Sequence, residues 1–448
     1  MRHHHRSLVA ATAAATIAAL ALAGCSGDAG GSGSDVGSAA PDHLSGTVSL
    51  WHYFTDREAK VVQSVVDGFE KANPDVKVKV HTGQEDDKIT KVIASGGDLD
   101  VAISSGTDNL GAFCSSGSFI DMGPYIKRDD IAKAQILSVP LDYTKFDGKQ
   151  CALPMMSDVY GLYYNTDLLK AAGYDSPPKT LSELADMAVK LTTYNDDGSI
   201  KTLGFDPLMG FYENQSAQWS FITGASWMKD GKSAIADDPA WKELMTWQKG
   251  LVDKIGYDKL KAFTAGLGDE WSADQAFETG QVAMMLDGEW RVAFISDQKP
   301  DLNYATAPFP TGDNNTDSYG GGYTSGTIVG ISKNSKNKEL AWALVKYLTT
   351  NTSALVTLAN ELNNVPTTKA ALTSPDLKLP SQFQTFLDIA KSSHVVSLPN
   401  TVIGSANQTT MDTYWQSYQA GGGSGLDAGL KKVDEDINNA LSLSEGPS

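Results

Sequence analysis

Asp287 and Glu289 are the carboxylates that first suggest catalysis, because glycoside hydrolysis needs two acids flanking one bond. Two side chains so close on one segment are poorly placed to reach opposite sides of a bond, so a hydrolase is the weaker reading. Asp313-Asn314-Asn315-Thr316-Asp317 imitates the start of a calcium-binding EF-hand loop. It lacks the glycine at the sixth position and the glutamate at the twelfth, and reads as a turn. His43, His52, His81 and His394 are too scattered for a zinc cluster, so no metal and no cofactor is expected. Gly320-Gly321-Gly322 has neither dinucleotide-binding spacing nor the Lys-Ser/Thr of a phosphate loop. No Gly-x-Ser-x-Gly, zinc-protease His-Glu-x-x-His or Cys-x-x-Cys is present. What remains is a chain equipped to bind rather than to transform.

The N-terminus says where it works. Arg2 and Arg6 precede an uncharged run from Ser7 to Gly24, rich in Ala and Leu, as in a secretory signal peptide over 1–24. The run is too short and too rich in alanine for a comfortable membrane span. His3-His4-His5 is discarded with the leader. Leu22-Ala23-Gly24-Cys25 resembles a bacterial lipobox, which implies a diacylglycerol on the Cys25 thiol and cleavage just before it. The alternative is an ordinary signal peptide with a chance cysteine. Ser26 to Pro41 is almost entirely Gly, Ser, Ala and Asp, with Val36 alone able to anchor on a core. We therefore expect a flexible tether over 25–45, with a reach on the order of 20 Å for sixteen residues.

About four hundred residues follow, more than one hydrophobic core usually serves, so two lobes are expected. Without Arg2 and Arg6 the 36 basic residues fall to 34 against 54 acidic, a net charge of −20. Such a chain does not bind nucleic acid or anionic lipid through its bulk charge. Cys114 and Cys151 remain as an even number in an oxidising compartment, which predicts a disulfide; two buried free thiols are the alternative. Thr47–Trp51 is β-rich, and Ala59, Val62, Val65, Val66 and Phe69 recur at helical spacing up to Asn73-Pro74. Val76, Val78 and Val80 alternate with lysines. Ile89, Val92 and Ile93 mark a second short helix, and Leu99–Ile103 a third strand. This order predicts a parallel sheet wrapped by helices, an α/β fold. Its ligand rim would carry Trp51–Phe54 and Ser104–Asp108.

Several blocks in order resemble the family 1 extracellular solute-binding proteins, the sugar-capturing subunits of ABC importers. They are Trp51-His52-Tyr53, Gly68-Phe69-Glu70-Lys71-Ala72-Asn73-Pro74, Gly161–Leu168, Phe277–Met285 running to Asp287-Gly288-Glu289-Trp290, and Ile331–Glu339. The resemblance covers nearly all of 46–440, although many relatives lack the Cys114/Cys151 pair. It implies a two-lobe periplasmic-binding-protein fold, with parallel-rich sheets, helices on both faces and a ligand cleft between the lobes. Lobe one would be 46–153 plus 318–367, and lobe two 157–315 plus 370–445. Crossings are expected near Leu153-Pro154-Met155, Tyr319–Gly322 and Pro366.

The resemblance further implies a non-enzymatic monomer, lipid-anchored outside the cytoplasmic membrane, that delivers a carbohydrate to membrane permease subunits. Polyols and glycerol phosphodiesters are the alternative solutes. Carboxylates and amides read a sugar's hydroxyl edge, and aromatic plates cover its faces. The expected ligand-binding residues are Tyr53, Glu85, Asp108, Asp158, Tyr160, Trp219, Trp227, Asp287, Trp290, Tyr323 and Asn364. Glu85, Asp108 and Trp290 fall where maltodextrin-binding relatives place sugar-contacting groups. Trp219 and Trp227 read equally well as core. Asn407 or Trp415 could add a contact from the C-terminal run.

Overall fold

The computed structural model describes residues 36–422 and 425–444. The leader 1–24, the lipidation at Cys25 and the first part of the expected tether lie outside the described residues.

The first lobe grows from its N-terminal strands. Strand Gly46–His52 pairs in parallel with Val76–His81 on one side and Val101–Ser104 on the other. Helix Asp56–Ala72 joins the first two and buries Val62, Val65, Val66 and Phe69, the stripe that the sequence spacing predicts. Ile328–Ile331 then adds antiparallel to Val101–Ser104, and Ala152–Pro154 closes the five-stranded sheet beyond it. Helices Lys338–Thr350 and Thr352–Leu362 supply Leu344, Val345, Leu355 and Leu358 to the same core. Trp342 is buried there and donates from Nε1 to Asp129 Oδ2 at 2.9 Å.

The second lobe is built on the long strand Met156–Asn165. It pairs antiparallel with four others in succession: Val365–Pro366, Gly322–Ser325, Val282–Gly288 and Tyr304–Ala307. Among the described residues, parallel strand pairs here are Val282–Gly288 with Ile200–Phe205 and Gly322–Ser325 with Val395–Val396, with one isolated parallel bridge between Thr180 and Thr311. The expectation of parallel-rich sheets therefore holds for the N-terminal strands and fails for the second lobe.

Three segments cross between the lobes. The first is Pro154-Met155-Met156, where one residue separates the two sheets. The second is Gly326-Thr327, since Ser325 pairs with Asp158 in the second lobe and Ile328 with Ser104 in the first. This corrects the expected crossing at Tyr319–Gly322, whose last residue already belongs to the second sheet. A Cβ on Gly326 would lie 2.4 Å from both the Met156 carbonyl oxygen and the Tyr143 hydroxyl, so only glycine fits. The third is drawn out: Val365-Pro366 pair with Met156-Ser157, Thr367 Oγ1 donates to the Pro154 and Met155 carbonyls at 3.1 Å, Ala371 and Leu377 pack back on the first-lobe core, and the chain joins the second lobe from Leu379 on. The lobes also meet across their edges. Arg57 Nε lies 3.3 Å from Asp297 Oδ2, and a Cβ on Gly111 would lie 2.1 Å from the Thr401 carbonyl oxygen.

Two further expectations change. The tether does not extend to residue 45, because Val36 and Leu44 pack half-buried against the first-lobe core. Trp415, fully buried against Trp219 and Trp241, is core, as is Asn407 by its burial.

Cys114 and Cys151 form a disulfide with Cα atoms 5.7 Å apart, tying helix Leu110–Ser115 to the approach of the first crossing. Both lie in a small apolar cluster with Phe113, Phe119 and Ile328. By loop-closure entropy a crosslink over 37 residues contributes about 3–4 kcal/mol. The Cys114→Ser/Cys151→Ser variant is therefore expected to melt several degrees lower in a thermal scan; an unchanged midpoint would show that the crosslink does not constrain the unfolded chain.

Candidate functional site

The crossing strand positions the centre of the cleft. Asp158 and Tyr160 are two apart on Met156–Asn165 and so share one face. Opposite them, Val282–Gly288 ends in Glu289 and Trp290. A Cβ on Gly288 would lie 2.2 Å from the Trp290 ring, so the missing side chain lets the indole fold back over the strand. Trp290 then meets Tyr160 edge-on at 5.4 Å, and Tyr160 lies 5.5 Å from Tyr323. Trp271, 48% exposed, stands 6.5 Å beyond Trp290. Trp271, Trp290, Tyr160 and Tyr323 thus form a continuous aromatic wall. Tyr53 comes from the first lobe, its hydroxyl 3.0 Å from Thr327 Oγ1 on the second crossing.

Behind this wall lies a buried polar junction. The Asn364 amide donates to Asp158 Oδ1 and to Glu289 Oε1, both at 2.8 Å. The Val159 N–H donates to Glu289 Oε2 at 2.6 Å. Burial pushes Asp158 up to about 7, with the neighbouring Glu58 charge adding to it and the Asn364 bond opposing. Glu289 is pushed well up by burial and then by Asp158. Two buried carboxyls sharing one neutral amide cannot both carry charge cheaply, so the pair holds a proton near neutrality.

A second acidic group lies beside Trp290. One carboxylate oxygen from each of Glu213, Glu270 and Asp287 falls within 4.8 Å of the others. Arg291, fully buried, reaches Asp287 Oδ2 from Nε at 2.8 Å, Glu278 Oε1 from Nη1 at 3.3 Å and Glu270 Oε1 from Nη2 at 3.7 Å. Its guanidinium lies 5.4 Å from the centre of the Trp271 ring. Burial and then the Glu213 charge raise Glu270 to about 10, while burial and then Asp287 raise Glu213 to about 7. On the first lobe, Asp86 accepts from Ser104 Oγ at 2.6 Å and Asn109 Nδ2 at 3.2 Å, and burial raises it to about 6.

A cavity of about 900 Å³ opens between the lobes, within the range of small-molecule sites. Tyr143 and Phe146 line it from the first lobe, Phe221 and Trp227 from the second, with Asn400 across the gap. Tyr143 joins cavity and wall, since Asp158 and Tyr323 both act electrostatically on its hydroxyl. Asn400 Nδ2 donates to the Tyr143 and Lys145 carbonyls at 2.8 and 3.0 Å.

The predicted residues therefore separate. Tyr53, Asp158, Tyr160, Trp290, Tyr323 and Asn364 come together, and the Asp108 charge is among those that raise Tyr323. Trp227 packs edge-on against Trp241 at 4.9 Å and still lines the cavity. Trp219 is not a ligand plate: it is fully buried among Phe205, Phe309, Trp247 and Trp415. Asp287 is equally inaccessible, held by Arg291 and the Gly288 N–H. Glu85 is exposed at the start of helix Asp86–Ala94, and the inward carboxylate is its neighbour Asp86. Tyr143, Glu213, Glu270 and Trp271 were missed. Trp271 had a signal: it stands in the polar run Gly268-Asp269-Glu270-Trp271-Ser272, with no helical stripe to bury it.

The profile described as "Bacterial extracellular solute-binding protein" matches residues 54–354. A maltodextrin-binding protein of Bacillus subtilis is 26% identical over 376 residues, 81% of each chain. A maltooligosaccharide ABC transporter solute-binding lipoprotein of Streptococcus pneumoniae is 26% identical over 377 residues, 79% of this chain and 78% of that one. Among solved structures, CpMnBP1 with mannotriose bound superposes with a TM-score of 0.77 at 25% identity, covering 87% of this chain and 99% of that one.

The buried carboxyls predict how stability follows pH. A carboxyl raised on folding contributes fully below its unfolded pKa, and the contribution is lost as pH rises toward the folded value. For Asp158, Asp206 and Glu213 that window runs from about 4 to about 7. His52, lowered by burial to about 4 from 6.5, acts in the opposite sense over part of it, and Asp129, lowered to about 2, matters only in stronger acid. The melting midpoint should thus be a few degrees higher near pH 5 than at pH 8. A midpoint that climbs steadily to pH 8 would mean these carboxyls are ionised in the folded state.

Proposed function

The chain belongs to the bacterial extracellular solute-binding proteins, and on that premise we propose that it captures a carbohydrate between its lobes and passes it to the membrane permease of an ABC importer. The observation that carries this reading is the wall of Trp271, Trp290, Tyr160 and Tyr323 beside Asp158 and Glu213. Aromatic faces cover the C–H surfaces of a sugar ring, and fixed carboxylates accept from its hydroxyls. Relatives named for maltodextrin and maltooligosaccharide, and a fold neighbour holding mannotriose, support an oligosaccharide.

In this reading, residues 46–154 with 328–364 and 367–377 act as one body, and 156–325 with 379–444 as the other. Binding stabilises their closure and involves no covalent step. The protein works as a monomer held outside the membrane by lipid on Cys25; the lipobox-like Leu22–Cys25 and the streptococcal lipoprotein relative support the anchor. Hydrolysis is disfavoured by commitment of both candidate acids, Asp287 to Arg291 and Glu289 to Asn364 and Val159.

Thermal unfolding of the mature chain against mono-, di- and trisaccharides, polyols and glycerol phosphates tests the proposal, with chromatography for products. A ligand at a hundred times its Kd adds about 2.7 kcal/mol and raises the midpoint by a few degrees. Stabilisation by one saccharide class without products is expected. Stabilisation by a polyol or glycerol phosphate alone, or any cleavage, would overturn it. Trp290→Ala should weaken the selected sugar about tenfold in calorimetry, since it removes one aromatic face; unchanged affinity would place the sugar elsewhere.

A further inference from the structure

We propose that the captured saccharide is a neutral chain of at least three rings, whose outermost ring lies on Trp271 at the mouth of the cleft. The oxygens of that ring accept from Trp290 Nε1 and Arg291 Nη2. The inference rests on the carbohydrate reading above and adds the length of chain that the site selects.

The first observation is a gradient of exposure along the aromatic wall. Tyr323 and Tyr160 are 4% and 5% exposed, Trp290 is half-buried, and Trp271 is the one exposed tryptophan among the described residues. Each step along the wall, 5.4 to 6.5 Å between ring centres, is close to the length of one pyranose unit. Phe294 lies 5.5 Å from Trp271, and Arg57 of the first lobe reaches to 5.8 Å from the centre of the same Phe294 ring. Trp271 therefore borders the gap between the lobes.

The second is a pair of donors without acceptors. Arg291 is fully buried, yet its Nη2 makes no hydrogen bond: Glu270 Oε1, at 3.7 Å, is beyond bonding distance. Trp290 Nε1 is likewise shut off from solvent and unpartnered. Both side chains flank Trp271, the guanidinium 5.4 Å from its ring centre and the Trp290 ring 6.5 Å away. A buried N–H without a partner is costly, so an acceptor supplied there gains more than one merely exchanged for water. The hydroxyl and ring oxygens of a sugar are such acceptors, and an indole covers the C–H face beside them. An anion fits less well, because Asp287, Glu278 and Glu270 already stand about the guanidinium. A cation meets Arg291 itself and finds donors where it needs acceptors. The corner suits a neutral, oxygen-rich group.

Calorimetry on the mature chain with two sugar ladders, glucose to maltotetraose and mannose to mannotetraose, tests this. The corresponding ladder is added if another saccharide class stabilises the chain. Affinity should rise about tenfold on lengthening beyond the disaccharide, the gain of one aromatic face and its neighbouring donors. Trp271→Ala should bring the ratio of trisaccharide to disaccharide affinity back toward unity, a readout internal to each folded sample. Trp271→Phe keeps an aromatic face and should restore part of that ratio. Acrylamide quenching reads the same contact: the trisaccharide should shield the Trp271 emission, taken as the difference from Trp271→Phe, and the monosaccharide should not. No gain beyond the disaccharide, or a ratio that Trp271→Ala leaves intact, would overturn the inference and leave the carbohydrate reading standing. If no saccharide of any length binds, both readings fall.

Discussion

One amide group holds the centre of this protein together. Asn364 donates to Asp158 on the crossing strand and to Glu289 beyond the strand beside it, while Val159 donates to the other oxygen of Glu289. All three segments meet where the chain passes between lobes. The carboxyls are buried, so they are costly unless partnered, and the amide supplies neutral donors rather than a compensating charge. Removing it would leave two acids facing one another out of water. The junction is therefore rigid where it must be. It fixes the start of the strand that presents Tyr160 and the end of the segment that presents Trp290.

The aromatic wall follows from that placement. Gly288 removes the side chain that would keep Trp290 off its own strand, and the indole settles edge-on to Tyr160. Arg291, one residue on, is drawn inward by Asp287 and Glu278 and also reaches Glu270 at 3.7 Å. Structure and recognition share residues here. Asp287 and Arg291 form a buried brace beside Trp290. Burial first, and like-charge crowding after it, raise Glu213 and Glu270. The acidity of the cleft is local, set by these contacts, and not a consequence of the chain's overall negative charge.

The fold was legible in the sequence where local pattern decides it. The stripe Val62, Val65, Val66 and Phe69, the stop at Asn73-Pro74 and the alternating Val76–Val80 map onto the observed helix and strands. The antiparallel second lobe was not legible, because its pairings join strands more than a hundred residues apart and no local period records their direction. Tryptophans divided by context. Trp241 and Trp342 lie on apolar helical stripes and are buried. Trp219 lay in an equally apolar stretch, and only burial separates it from a ligand plate. Trp290 stood out by resemblance, since it falls where maltodextrin-binding relatives place a sugar-contacting group. Glu213 and Glu270 lie in loops that meet only in three dimensions, so neither spacing nor type distinguished them from surface acids.

The central claim is that one solute is held by both lobes across the wall and junction. Hydrogen–deuterium exchange, with and without the most stabilising saccharide, tests it most directly. Protection should rise together around Tyr53 and Asp108 in the first lobe, and around Asp158–Tyr160, Gly288–Arg291 and Tyr323–Thr327 on the other side. Protection confined to one lobe, or concentrated away from these segments, would contradict the account.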